Sequence, residues 1–164
     1  MKRTVLGLAL IVSSAASALA ASAPRDLDIT AFFTGRTRTE NVLKVAFHRP
    51  APLIVDSIGG KGDRGDFVLV DTVHEGDKPV RTRKWIMHEV GPGHFAGTLT
   101  DAVGPVDMSI NGEVATVRYK MKGGLDIIQT MTLQGDGRSM ANHVTAKKFG
   151  LTVAHVDGTV RKLD

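Results

Sequence analysis

Arg83 and Trp85 are the residues of this chain whose types and spacing best suit contact with a small molecule. They stand two residues apart in a β-rich stretch, so both side chains point to the same face of a strand. Arg83 would orient an anionic head group there, and the chain's only Trp would supply apolar contact. A buried arginine is normally paired with a carboxylate. Asp101 is the first candidate for that partner, and the pairing, which needs no ligand, is the favoured alternative.

The six histidines raise the question of a metal site. No two of them form the H-x-H or H-E-x-x-H spacing that places two imidazoles on one face. His88 and His94 flank a turn, but hairpin pairing around Pro92 sets His88 opposite Ala96. The sequence therefore predicts no bound metal, with imidazoles on the surface or lining a cavity, although His74 and His143 could still meet across strands. The remaining two are His48 and His155.

The stretch 60–65 matches the G-x-G-x-x-G spacing of dinucleotide-binding loops. That function requires the loop to open a helix whose N-terminus holds the pyrophosphate. Residues 66–73 are strand-like instead, so the loop is interpreted as a glycine-rich hairpin and no cofactor is expected. There is no G-x-S-x-G serine and no thiol, so the sequence names no catalytic residue and gives no support for an enzyme.

The elements that would position Arg83 and Trp85 are short β-rich runs separated by regular turn signals. This spacing predicts an antiparallel meander that closes into a barrel or a sandwich. Period-2 alternation is clear in 67–74 and in 145–156 around Gly150, and Asn111-Gly112 predicts a hairpin with a type I′ turn. The stretch 80–90 has no clean apolar face, which favours a barrel with a polar cavity over a sandwich core.

The N-terminus has the pattern of a secretory signal peptide. Lys2 and Arg3 precede the apolar run 5–12, and Ala18-Leu19-Ala20 gives an A-x-A site, so cleavage is expected after Ala20. A cut after Ala23 ranks second, because Pro24 would follow it. The apolar run is far shorter than the ~20 residues that span a bilayer. The sequence therefore predicts a protein of the bacterial periplasm.

Composition limits the classes of protein further. The chain has no cysteine, so it forms no disulfide and carries no lipid on an N-terminal cysteine; we expect it not to be membrane-anchored. Its formal charge of +4 includes Lys2 and Arg3, so cleavage leaves about +2, with basic residues scattered rather than clustered. Nucleic-acid binding is therefore not expected. We expect a flexible lead-in over 21–28 and a single, monomeric β-barrel domain over 29–164.

Several motifs occur along the chain in a fixed order: Phe32-Phe33-Thr34-Gly35-Arg36, Arg83-x-Trp85, Gly91-Pro92-Gly93-His94-Phe95-x-Gly97-Thr98, Asp101-x-Val103-Gly104, Tyr119, Asn142 and Lys148-Phe149-Gly150. Together they resemble an uncharacterised family of small bacterial envelope proteins, domain of unknown function 3833. The resemblance rests on the order and spacing of the motifs more than on any single one. It runs from Phe32 to about Arg161 and implies a lipocalin-like (calycin) barrel.

The chain departs from that family at three points. Many members resemble predicted lipoproteins, and the lipid-bearing cysteine is missing here. The D-D-W-M segment that members often show falls by spacing on 128–131, where only Met131 remains. The arginine that usually follows the late asparagine is His143. Any function that depends on the lost acids and Trp is therefore in doubt.

The sequence thus predicts a non-enzymatic, lipocalin-like protein that binds or carries a small apolar or amphipathic ligand. The alternative is a structural or interaction protein of the cell envelope, with a filled barrel and no ligand. Asn142 and Lys148 could line the rim of the cavity, or else cap a strand end and lie on a solvated edge. The candidate ligand-binding residues are Arg83, Trp85, Asp101, Tyr119, Asn142 and Lys148.

Overall fold

A computed structural model describes residues 26–164 as one short helix and ten antiparallel strands. Each strand pairs with the next along the chain, and β1 also pairs with β10, which closes the barrel. The prediction of an antiparallel meander that closes into a barrel is confirmed. The elements are α1 Ile29–Phe33, β1 Gly35–Val45, β2 Ala51–Lys61, β3 Phe67–Glu75, β4 Arg81–Gly91, β5 His94–Leu99, β6 Val106–Asn111, β7 Val114–Met121, β8 Leu125–Leu133, β9 Ser139–Lys148 and β10 Leu151–Lys162.

Alternation along the strands separates an inner from an outer face. In β4 the side chains of Arg81, Arg83, Trp85 and Met87 line the interior, as the mixed composition of this stretch predicts for a cavity wall. The outward positions, such as Lys84, are mostly exposed. A one-residue slip of β4 would exchange the two faces, so its register fixes which groups enter the barrel.

Helix α1 closes one end of the barrel. Asp28 caps its N-terminus by accepting a hydrogen bond from Ala31 N–H at 2.9 Å, and Ile29 and Phe33 face the interior. At the other end of the helix, Lys162 Nζ donates to the carbonyls of Ala31, Phe32 and Thr34. These contacts hold the helix against the last strand, so it forms the floor of the barrel.

The folded part begins before the boundary that the sequence suggests. Leu27 is buried, and its N–H donates to the carbonyl of Gly112 at 3.0 Å. Leu27 and Asp28 therefore belong to the barrel rather than to the flexible lead-in expected over 21–28. The signal peptide and the rest of that lead-in lie outside the described residues.

Two predicted hairpins form, one with a different turn. The loop after Lys61 joins β2 to β3, so the G-x-G-x-x-G stretch is followed by a strand, as expected. The β6–β7 hairpin is also confirmed, but Asn111 pairs with Val114, so its turn residues are Gly112 and Glu113. A type I′ turn needs a positive φ at both turn residues, but only Gly112 has one, at 55°. The prediction of a type I′ turn is therefore wrong.

The end of the barrel opposite α1 is here called the mouth. Five connections form it, and they span residues 46–50, 76–80, 100–105, 122–124 and 149–150. Phe47 and Phe149, in two of these connections, have φ values of 64° and 50°. A left-handed backbone is uncommon for bulky residues and costs roughly 1–2 kcal/mol each.

Candidate ligand-binding cavity

A cavity of about 510 Å³ lies inside the barrel. All ten strands and α1 contribute to its lining, and it reaches the mouth through residues such as Leu43, Leu53 and Leu125. Most of the lining side chains are aliphatic, aromatic or methionine. The volume falls within the roughly 300–1,000 Å³ of typical small-molecule sites, which combine apolar walls with a few polar groups.

Asp71 is the centre of the main polar group in this cavity. It is only 2% exposed and accepts three hydrogen bonds: from Ser57 Oγ at 2.7 Å, Arg83 Nε at 2.7 Å and Trp85 Nε1 at 2.8 Å. The strand register explains the cluster, because Ser57, Asp71 and Arg83 stand directly opposite one another on β2, β3 and β4. A buried carboxylate with this many donors is fully satisfied.

Arg83 is held by Asp71 and by the aromatic ring beside it. Its guanidinium carbon lies 5.4 Å from the ring centroid of Trp85, within range of a cation–π contact. Burial disfavours its charged form, but the charge and hydrogen bond of Asp71, with nearby Tyr119, outweigh this, so the pKa of Arg83 lies above its usual value. Among the described residues, only its Nε–H has an acceptor. The Nη groups are therefore available to the cavity that Arg83 lines.

Tyr119 completes this wall. Its ring packs edge-to-face on Trp85 with centroids 5.6 Å apart. Burial raises the pKa of the Tyr119 hydroxyl above its ordinary value, although the charge of Arg83 acts in the opposite direction. The hydroxyl therefore stays protonated at neutral pH. The cluster Ser57, Asp71, Arg83, Trp85 and Tyr119 is here called the arginine cluster.

The prediction that Asp101 pairs with Arg83 is wrong. Asp101 forms an ion pair with Arg81 instead, at the mouth and partly exposed, and it does not line the cavity. Continuing the β4–β5 register brings Asp101 level with Arg83, but β5 ends at Leu99, and Asp101 lies in the following turn. Asp71 is already paired with Arg83 from the other side, so Asp101 is available to Arg81.

A second polar group faces the cavity from β1, β8 and β9. Asn142 Nδ2 donates to Asn41 Oδ1 at 2.9 Å, and Gln129 Nε2 donates to Asn142 Oδ1 at 2.7 Å. Strand β10 runs between β1 and β9, and Gly158 stands opposite both asparagines in the register. A Cβ on Gly158 would lie 2.5 Å from Asn41 Oδ1 and 2.1 Å from the Glu40 carbonyl oxygen. The absence of a side chain at Gly158 therefore lets the two amides meet across β10.

The structure places four of the six candidate binding residues on the cavity wall and two outside it. Arg83, Trp85, Tyr119 and Asn142 line the cavity. Asp101 and Lys148 do not, since Lys148 ends β9 at the mouth, exposed, with its Nζ 5.8 Å from the ring centroid of Phe149. Whether the four contact a ligand stays a prediction.

The histidines lie on the outer wall or in loops, and none lines the cavity. His88 stands opposite Ala96, as predicted. His143 packs against His155 with ring centroids 5.7 Å apart and contacts Asp157, while His74 is on β3 and does not meet it. Within residues 26–164, no three His, Cys, Asp or Glu side chains are grouped so as to hold a metal ion.

Sequence reasoning missed Asp71, Ser57, Asn41 and Gln129. One signal for Asp71 was present, because it shares a strand face with the apolar Phe67, Leu69 and Val73. An acid in the middle of a largely apolar strand face needs a partner once that face is buried. No comparable signal marks Asn41, since its partner Asn142 is 101 positions away along the chain.

The sequence signature of the family described as "Protein of unknown function (DUF3833)" matches residues 6–162, nearly the whole chain. This chain belongs to the DUF3833 family. The expected resemblance is therefore confirmed. Gln129, in the segment 128–131 where the sequence departs from the expected D-D-W-M pattern, donates a hydrogen bond to Asn142. No curated protein matches the sequence.

Two solved structures share the fold of this DUF3833 protein. One is a protein of unknown function from the DUF3598 family of Nostoc punctiforme, with a TM-score of 0.63 and 14% identity. It aligns with 87% of this chain, which spans only 53% of its length. The other is the S-type phycobiliprotein lyase of Guillardia theta, with a TM-score of 0.63 and 5% identity. The alignment covers 82% of this chain and 91% of the lyase. At 14% and 5% identity, the structural similarity shows only that this chain has a lipocalin-like barrel fold.

No helix among residues 26–164 is long and apolar enough to cross a membrane.

Proposed function

We propose that this DUF3833 protein is a non-enzymatic binding protein of the bacterial periplasm that holds a small apolar or amphipathic ligand in its barrel. The observation that carries the proposal is the cavity of about 510 Å³, apolar along most of its wall and lined at mid-depth by a donor group. A ligand with an apolar body would bury that body against the wall, which is the main source of affinity in such sites.

The arginine cluster supports an amphipathic ligand in particular. Asp71 holds Arg83 through Nε, which leaves the Nη edge available to an acceptor on the ligand, such as a carboxylate or carbonyl oxygen. Arg83 follows Arg81 inward along β4, and Trp85 and Met87 lie deeper still. A head group at Arg83 would therefore sit midway, with apolar wall above and below it.

The alternative, a filled barrel that acts through an edge or surface, is less well supported. Pairing of β1 with β10 leaves the described barrel without an open sheet edge on which a partner strand could add. The cavity is also large for a core that serves only packing, because protein interiors are normally close-packed.

An enzymatic role has no constellation to support it within the described residues. The His–Asp contacts, His143 with Asp157 and His74 with Asp56, lie on the outer wall. The buried carboxylate of the cavity, Asp71, already accepts three hydrogen bonds and is not available as a base. A phycobiliprotein lyase has a similar barrel, so the fold alone does not distinguish binding from catalysis.

Native mass spectrometry of gently purified protein tests the proposal. We expect a co-purified small molecule, released on unfolding. Replacing Ala146 with Phe places a ring inside the cavity near its mouth and should remove the adduct, whereas Ala141→Phe, on the outward face of the same strand, should keep it. A protein without adduct that also fails to take up any of a panel of apolar and amphipathic compounds would overturn the proposal.

A further inference from the structure

Exposed apolar side chains gather at two neighbouring hairpin tips of the mouth. Phe47 is fully exposed in the β1–β2 connection, and Phe149 and Leu151, in or beside the β9–β10 connection, are 91% and 73% exposed. The tips are adjacent because β1 pairs with β10, and Ala46 N–H donates to the Val153 carbonyl at 2.9 Å. Such a cluster on a soluble domain marks a contact surface.

Phenylalanine is an unexpected residue for the left-handed backbone conformation found at both tips. Phe47 and Phe149 are the non-glycine residues with positive φ within the described part of the chain. Glycine or asparagine adopts this conformation with less strain, and a side chain without packing contacts does not stabilise the fold. Two strained, exposed phenylalanines on neighbouring hairpin tips therefore point to a role outside the folded chain.

The charge around the phenylalanines is positive. Residues 42–55 and 145–156, which form the two tips and the adjoining strand ends, contain Lys44, Arg49, Lys147 and Lys148 and no Asp or Glu. Lys44 is paired with Asp157 at 3.5 Å, so Arg49 and Lys148 are the basic residues that the patch uses. Lys148 Nζ lies 5.8 Å from the Phe149 ring centroid, so cation and aromatic ring are presented together. The tips Phe47, Arg49, Lys148, Phe149 and Leu151 are here called the mouth patch.

We propose that the mouth patch docks reversibly on an anionic lipid membrane. Phe47, Phe149 and Leu151 would enter the boundary between head groups and acyl chains, while Arg49 and Lys148 contact anionic head groups. A second copy of this chain is the poorer occupant, because it would set one basic patch against another. The proposal goes beyond ligand binding and does not depend on it, although docking in this orientation would open the cavity toward the lipid.

Lipid-attached quenchers test the insertion at single positions. Trp85 is the only native Trp and is buried, so a second Trp introduced by Phe47→Trp or Phe149→Trp reports on the patch. With vesicles of phosphatidylcholine and phosphatidylglycerol carrying brominated acyl chains, we expect the added fluorescence to be quenched in both variants. Val90→Trp, an exposed position at the α1 end, should not be quenched. Equal quenching in all three, or in none, would overturn the proposal.

Vesicle co-sedimentation measures the contribution of each group. We expect Phe47→Asn with Phe149→Asn, which suits the left-handed backbone, to weaken binding at least about tenfold, and Val90→Asn to leave it unchanged. Arg49→Glu with Lys148→Glu should also weaken it, unlike Arg64→Glu at the α1 end. Binding should fall with added salt, since the Debye length shrinks from about 8 Å at 0.15 M to about 3 Å at 1 M.

Two results would refute the lipid assignment. One is vesicle binding that the patch variants leave unchanged, because that binding would then not depend on the mouth patch. The other is a concentration-dependent dimer in analytical ultracentrifugation that Phe47→Asn with Phe149→Asn abolishes, which would make a second copy the partner.

Discussion

Asp71 and Arg83 face each other across β3 and β4, with Asp71 Oδ2 2.7 Å from Arg83 Nε and 2.8 Å from Trp85 Nε1. One carboxylate thus fixes both the cation and the indole on the cavity wall. Because the pair is desolvated, each charge depends on the other for its stability in the interior. The relationship positions the donor edge that we assign to ligand binding.

Replacing Arg83 with Met should destabilise the protein strongly. It removes the countercharge of a carboxylate that is 2% exposed, and broken buried pairs cost about 3–5 kcal/mol. The matched control is Arg64→Met, whose side chain is 85% exposed and whose loss should cost less than about 1 kcal/mol. Urea titrations give both free energies of unfolding, and equal values for the two variants would place Arg83 outside the barrel core.

Gly158→Ala should disrupt the contact between Asn41 and Asn142. The added Cβ would lie 2.1 Å from the Glu40 carbonyl oxygen, and such overpacking typically costs about 1–3 kcal/mol. Gly60→Ala is the control, because a Cβ there meets no atom within 4 Å. Thermal unfolding should show a lower Tm for Gly158→Ala alone; an unchanged Tm would mean that β10 does not pass between the two amides as described.

Tyr119 should titrate above the ordinary tyrosine pKa of 10.0, because burial disfavours the phenolate. It is the chain's only tyrosine, so the ultraviolet absorbance of tyrosinate reports on it alone. Its contribution to stability is full below about pH 10 and is lost as the pH rises through the higher folded-state pKa. Protein unfolded in urea should titrate near 10.0, and a folded protein with that same midpoint would contradict the burial of the hydroxyl.

The exported protein should begin at Ala21. Ala18-Leu19-Ala20 meets the small-residue requirement of signal cleavage, and no cysteine is available for lipidation. N-terminal sequencing of protein from a bacterial periplasmic fraction checks this. A sequence that starts at Met1 in the envelope fraction would contradict the proposed location.

Local alternation made much of the fold predictable. The two-residue spacing of Arg83 and Trp85 predicts that they share a strand face, and the structure shows that this face is the inward one. The Asp71–Arg83 pairing is also predictable in principle, because a hairpin whose turn lies between Glu75 and Arg81 places Asp71 directly opposite Arg83. The expected partner, Asp101, lies beyond the end of β5 at Leu99 and therefore does not reach Arg83.

Long-range closure was not predictable in the same way. The pairing of β1 with β10 joins the two ends of the domain, and nothing in the local pattern of either strand specifies the other. The bond between Asn41 and Asn142 and the role of Gly158 depend on that closure. The volume of the cavity likewise depends on how all ten strands curve together.

Titration with anilinonaphthalene sulfonate, an amphipathic anion, tests the central claim that the barrel binds ligands in its cavity. Trp85 lines the cavity, so bound dye should quench its emission by energy transfer and saturate at one site. Ala146→Phe should abolish this signal, while Ala141→Phe should preserve it. Absence of saturable quenching in the native protein, or equal quenching in both variants, would contradict the account.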